Sequence, residues 1–147
     1  MNDQQTRDAI RGFLKSWVAG DTKQALASFT EDTVWVTPHG TFKGVAQAQN
    51  YMTWINRVAN NYKITENGIG IIVQGNTAVI EHNLSGTTNG MKWEIPASCI
   101  WEFKNDKVAS VRTFGDILTQ AQQAAKGMFA KWAVNAVVNG SRKGLRV

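Results

Sequence analysis

Apolar and polar residues recur along this chain with two different periods, and the points where the period changes divide it into three stretches. Up to Asn60 the spacing is helical. Ile10, Phe13, Leu14 and Trp17 fall at i, i+3, i+4 and i+7, the stripe of a half-buried helix predicted over Thr6 to Ala19. Gly20 stops it, and Asp21 can cap a short second helix, Thr22 to Phe29, with Ala25, Leu26 and Phe29 on one face. Glu31-Asp32 break that pattern. Thr33 to Thr37 reads as a strand, rich in β-branched and aromatic residues. Pro38-His39-Gly40 ends it in a turn, and Phe42, between two glycines, continues the edge. A third helix is predicted over Val45 to Asn60, with Ala48, Tyr51, Met52, Ile55 and Val58 on one side.

From Tyr62 the period is two. Strands are predicted over Tyr62 to Val73, bulged at Gly68 and Gly70, then Thr77 to Gly86, Met91 to Phe103 and Val108 to Phe114. The segments between them are tight turns, among them Asn89-Gly90, a strong hairpin signal. Strands joined so closely pair antiparallel. Three helices followed by such a meander give an α+β fold, a curved antiparallel sheet wrapping the helices. After Asp116, a helix cap, the period is helical again. Ile117, Ala121, Ala124, Ala125, Met128, Phe129, Trp132 and Ala136 mark one face of a long C-terminal helix over 116–139, interrupted at Gly127. That face is more apolar than an appendage needs, so the helix should cover the open end of the sheet or another subunit.

At 147 residues, 43% of them apolar and six of them Trp, one domain with a real core is expected, over 1–140 with its core at 6–118. The net charge of +5 is uneven. Residues 1–115 carry eleven Lys/Arg against ten Asp/Glu, and residues 116–147 carry five against one. Residues 141–147 read as a basic flexible tail. No basic face interleaved with aromatics argues for nucleic acid. No apolar run reaches the ~18 residues of a membrane span, so no membrane partner is expected. The polar N-terminus lacks a secretory layout, and a cytoplasmic location is the expectation. The lone Cys99 excludes an internal disulfide, and two histidines, His39 and His82, do not make a metal site. No cofactor is expected.

The order helix, Gly-Asp, short helix, strand, Pro turn, helix and four meandering strands resembles the cone-shaped nuclear-transport-factor-2-like fold. Within it the chain looks like the SnoaL-like group, which includes steroid isomerases, epoxide hydrolases and polyketide cyclases. The resemblance spans about residues 6–118. It is carried by AGD at Ala19–Asp21, SFTEDTVWVTP at Ser28–Pro38, the Gly-x-x-x-Gly stretch from Gly40 to Gly44, and DKVASVRTFGD at Asp106–Asp116. It implies a hollow cone that takes a small hydrophobic molecule. Aligned with the steroid isomerases, Phe13 stands at the Tyr donor, Thr37 at the base and Cys99 at the Asp donor. Aligned with the epoxide hydrolases, Thr113, His82 and Leu84 stand at the Asp-Arg-Asp set.

His82 shares its strand face with Ala78, Ile80 and Leu84 by period-two counting, and the resemblance turns that face into the cone. An imidazole is the side chain best suited to proton transfer near neutral pH. His82, Thr37 and Thr113 are the candidate catalytic residues. His39, Phe13, Trp17, Trp35, Tyr51, Cys99 and Leu84 are the candidate substrate-binding residues. The expected function is an isomerase-, hydratase- or cyclase-like activity on a small hydrophobic molecule. The alternatives are a carrier without turnover and a structural dimerisation module. Homodimerisation through the sheet is expected, since an isolated cone would leave apolar strand faces wet.

Overall fold

The computed structural model describes residues 1–143. Its elements are α1 (Asp3–Val18), α2 (Thr22–Leu26), β1 (Phe29–Thr37), β2 (Gly40–Lys43), α3 (Gly44–Val58), β3 (Asn60–Gln74), β4 (Thr77–Thr88), β5 (Met91–Lys104), β6 (Lys107–Gly115), α4 (Ile117–Ala124) and α5 (Met128–Ser141). The fold is α+β, as the two periods predict. Among the described residues no helix is long and apolar enough to cross a membrane.

Local chemistry starts each helix. Asn2 and Gln5 form a reciprocal capping box at α1, each side chain accepting the other's backbone N–H at 2.9 and 2.8 Å. Asp21 accepts the Gln24 N–H at 2.9 Å and starts α2. That helix is shorter than expected, because Phe29 belongs to β1, where it lies opposite Val108 of β6. The exposed pair Glu31-Asp32 sits in the register shift between Phe29 and Val34.

The sheet runs β2-β1-β6-β5-β4-β3. All neighbours are antiparallel except β1 and β6, which pair parallel. In β3 the register breaks between Glu66 and Ile71, at Gly68 and Gly70, whose φ angles of 54° and 65° suit glycine. The break changes the parity of the inward positions: Tyr62 and Ile64 before it, Ile71 and Val73 after it, all pack on the core. Arg11 of α1 clamps Glu66 beside the bulge through two hydrogen bonds of 3.0 and 2.9 Å.

The core lies between α1, α3 and the concave face of the sheet. Aromatic rings fill it. Phe13 meets Trp101 and Trp35 edge-on at centroid distances of 5.0 and 5.8 Å, and Trp17 meets Trp35 at 5.3 Å.

The single long C-terminal helix expected over 116–139 is two helices. Ala125 is extended and Gly127 has φ 84°, so the chain reverses between α4 and α5. The two run antiparallel, with Gln122 bonded to Asn135 at 3.0 Å. Of the tail expected over 141–147, Ser141 closes α5 and Arg142 and Lys143 form a turn; residues 144–147 lie outside the described residues.

Candidate functional site

Strand alternation brings the polar side chains of three strands onto the concave face. His82 of β4 is 1% exposed. Its register partner on β5 is Ala97, and Cys99, two residues on, lies opposite Thr113 of β6. Cys99 Sγ lies 3.8 Å from His82 Nε2 and 3.3 Å from Thr113 Oγ1. Trp35 of β1 donates its indole N–H to Thr113 Oγ1 at 3.0 Å. His82, Cys99, Thr113 and Trp35 therefore form one line of polar contacts across four strands.

Around this line is a cavity of about 30 Å³. Phe13, Trp17, Trp35, Tyr51, His82, Leu84, Cys99 and Thr113 all line it, together with Leu14, Tyr62, Ile64 and Trp101. The open hollow implied by the resemblance is nearly closed, because the tryptophan and phenylalanine rings occupy it. What remains has room for about one water molecule. The lining, drawn from the described residues, contains no carboxylate.

Burial keeps the lining neutral. It lowers the His82 pKa below the ordinary imidazole value, with the Ile80 backbone pulling the other way less strongly. It pushes the Cys99 thiol up to about 12, against the smaller effect of its bond to Thr113. It also raises the Tyr62 phenol well above its ordinary value. Three nitrogens on this lining are buried without a hydrogen-bond partner: His82 Nδ1, Trp17 Nε1 and Trp101 Nε1. Unpaired buried polar atoms are uncommon and costly.

Thr37 and His39 do not reach this cavity. Thr37 Oγ1 donates to the Gly40 carbonyl at 3.2 Å and accepts the His39 N–H at 3.0 Å, so the hydroxyl closes its own turn. His39 Nδ1 lies 3.4 Å from the Tyr51 hydroxyl, and its ring packs edge-on against Trp54 at 5.0 Å. Partial burial lowers the His39 pKa. Burial likewise pushes the Tyr51 phenol up to about 12, opposed by the Thr37 hydroxyl.

His39 instead lines a second, larger cavity of about 260 Å³ at the mouth of the cone. Its walls are α3 (Trp54, Ile55, Val58), α4 (Ile117, Gln120, Ala121, Ala124) and the strand residues Tyr62, Thr88 and Trp93. Tyr62 lines both cavities and separates them. The candidate residues read from the sequence left out Tyr62 and Trp101, and of the mouth they included only His39. Trp101 was available from its parity with Cys99, and the α4 wall from the stripe Ile117-Ala121-Ala124. Among the described residues no group of three or more His, Cys, Asp or Glu side chains is placed to hold a metal.

Comparison with known proteins agrees with this architecture. Many solved structures share it, among them the following three. A putative SnoaL-like polyketide cyclase from Jannaschia sp. superposes with a TM-score of 0.76 at 14% identity, over 85% of this chain and 94% of its own. A protein with a ketosteroid isomerase-like fold from Catenulispora acidiphila, solved with trimethylamine, gives 0.74 at 16% identity, over 84% and 95%. TerC, co-crystallised with polyporic acid, gives 0.72 at 16% identity, over 81% and 97%. The chain therefore has the nuclear-transport-factor-2-like fold. The model of the SnoaL-like domain matches residues 10–111, and the chain belongs to that family. No curated protein matches it in sequence.

Proposed function

We propose that this protein binds a small, uncharged, largely hydrophobic molecule, with the body of the ligand in the mouth cavity and one polar end in the inner cavity beside His82. The carrying observation is the set of partnerless nitrogens on His82, Trp17 and Trp101 around a void of about 30 Å³. A hydroxyl or carbonyl oxygen entering that void gains hydrogen bonds the free protein leaves unmade. The mouth, about 260 Å³ and mostly apolar, suits a compact ring or short chain. Tyr62 has to swing aside to join the two. Trimethylamine and polyporic acid, taken up by proteins of the same fold, support small-molecule binding as a use of this architecture. The neutral lining favours a neutral polar group over a carboxylate or an ammonium. We also read the protein as a homodimer through the outer face of the sheet.

A catalytic version rests on His82 itself. A neutral imidazole in an enclosed cavity has a lone pair that can take a proton, with Cys99 as its hydrogen-bonding neighbour and Thr113 bonded to Cys99 in turn. An isomerase-, hydratase- or cyclase-like step would use it as acid and base.

Intrinsic tryptophan fluorescence tests the reading against steroid, terpene-epoxide and polyketide-like compounds. Wild type should show saturable binding to at least one class. Ala121→Trp, which fills the mouth, should abolish it, and His82→Ala should weaken it by about tenfold. Turnover of a bound compound that His82→Ala removes selects the catalytic version. No saturable binding, or binding untouched by Ala121→Trp, refutes the proposal.

A further inference from the structure

We propose that the tip of the α4–α5 hairpin is a membrane-interface anchor that seats the protein on an anionic lipid surface. The inference is independent of what the cone binds. Met128, Phe129 and Trp132, at the start of α5, are 89%, 79% and 66% exposed, the three most exposed large apolar side chains among the described residues. The Phe129 and Trp132 rings lie side by side, centroids 6.1 Å apart. α5 turns Val138 inward and leaves this apolar face without a cover. A helix that is apolar on nearly every side is ordinarily buried, in protein or in lipid.

The charge around the patch names the cover. From Ile117 to Lys143 the chain holds four cations, Lys126, Lys131, Arg142 and Lys143, and no acid. Arg142 lies near enough to Asp116 to influence its titration. The three lysines are exposed, and none takes part in an ion pair among the described residues. Lys126 precedes the three bare side chains and Lys131 lies among them; Lys143 lies just past the far end of α5. A second copy docking through the same helix would offer these lysines no acidic side chain, since Ile117 to Lys143 holds none. An anionic bilayer offers both an apolar layer for Phe129 and Trp132 and phosphates for the lysines. With 14 residues α5 is too short to span a bilayer, which takes about 20, so it lies on the surface. The opposite side of the hairpin, through Ala121 and Ala124 of α4, walls the mouth cavity. Docking by the tip places that mouth beside the lipid.

Flotation of the full chain with vesicles tests this. Wild type should float at low salt with an equimolar mixture of phosphatidylcholine and phosphatidylserine, and stay behind with phosphatidylcholine alone. Lys126→Gln/Lys131→Gln should lower partitioning about 25-fold, taking about fivefold per lysine. Phe129→Ser/Trp132→Ser should lower it by about tenfold or more, and added salt should weaken the wild type. Circular dichroism should show both variants folded, since the altered side chains are exposed. Failure of wild type to float with the anionic vesicles overturns the proposal, as does equal flotation of both variants. Conversion of a dimer to a monomer by Phe129→Ser/Trp132→Ser, with no vesicle binding by wild type, would make a second copy the occupant.

Discussion

His82 is held in a position that opposes its own protonation. It is buried at 1% exposure, the cavity lining holds no carboxylate, and its side-chain polar contact is a thiol that burial keeps protonated. The consequence for stability has a definite sign. The unfolded chain takes up a proton near the ordinary value of 6.5, whereas the folded chain takes it up only at lower pH. Between those two points the unfolded state holds more protons, so stability is full above 6.5 and falls as the pH drops through that window. His39, also lowered by partial burial, adds a slope of the same sign. Thermal unfolding followed between about pH 5 and 7 should show wild type losing stability toward acid, and His82→Gln losing distinctly less. Glu66 and Asp116, whose pKa values their hydrogen bonds lower, lose their contribution as the pH falls through and below the ordinary carboxylate range, under this window. Equal slopes in the two proteins would show that the imidazole is not desolvated as described.

α4 is the element on which access to the mouth depends, and it is weakly held. It has eight residues, none of them fully buried. Its start rests on Asp116, which accepts the Thr119 N–H at 2.9 Å and the Thr119 hydroxyl at 2.6 Å. Asp116→Ala should lower global stability by about 1 kcal/mol. Its sharper effect should be local, with α4 amides exchanging faster in hydrogen exchange while those of β4 and β5 stay protected. Unchanged exchange in α4 would mean that packing alone holds the helix. The cap itself was legible from Asp116 followed by an apolar stripe. The reversal at 125–127 was only half legible: Gly127 signalled an interruption, but a break and a bend look alike in a one-dimensional pattern. The β3 bulge was legible because two glycines, Gly68 and Gly70, four and six residues past Ile64 and so on the same alternating face, cannot serve a continuous inward face. β1 pairing parallel with β6 was not, since it joins residues far apart in sequence and leaves no local mark. The same limit applied to the site. Alternation told which side chains point inward, and eight of the ten candidate residues do line the inner cavity. It carried no information on how much of the hollow their rings would fill, nor that Thr37 would spend its hydroxyl on its own turn.

At the scale of the whole molecule the question is what covers the convex side of the sheet. Register sets Ile72 beside Val79 and Val79 beside Ile100, and Phe114 stands opposite Ser98 at the next outward row. Phe114 is 54% exposed, and Ile72 and Val36 are also bare. Beside them Glu102 accepts from Arg112 at 2.7 Å and from Ser110 at 2.9 Å, and Glu81 accepts the Ile69 N–H at 3.3 Å. An apolar centre with a polar rim is the composition of an interface core. A two-fold axis through this face would lay the patch on itself, and a stable dimer needs about 800 Å² from each partner, within reach of a sheet with six strands. Sedimentation at micromolar concentration should therefore give a dimer mass for wild type. Ile100→Lys/Phe114→Lys, which buries like charges against each other across the axis, should give a monomer that stays folded, because both side chains point away from the core. The hairpin tip lies outside this patch, so the same variant should retain contact with anionic vesicles while losing the strengthening that two linked tips provide. A monomeric wild type would remove the sheet face as an interface and leave its apolar row to be explained another way.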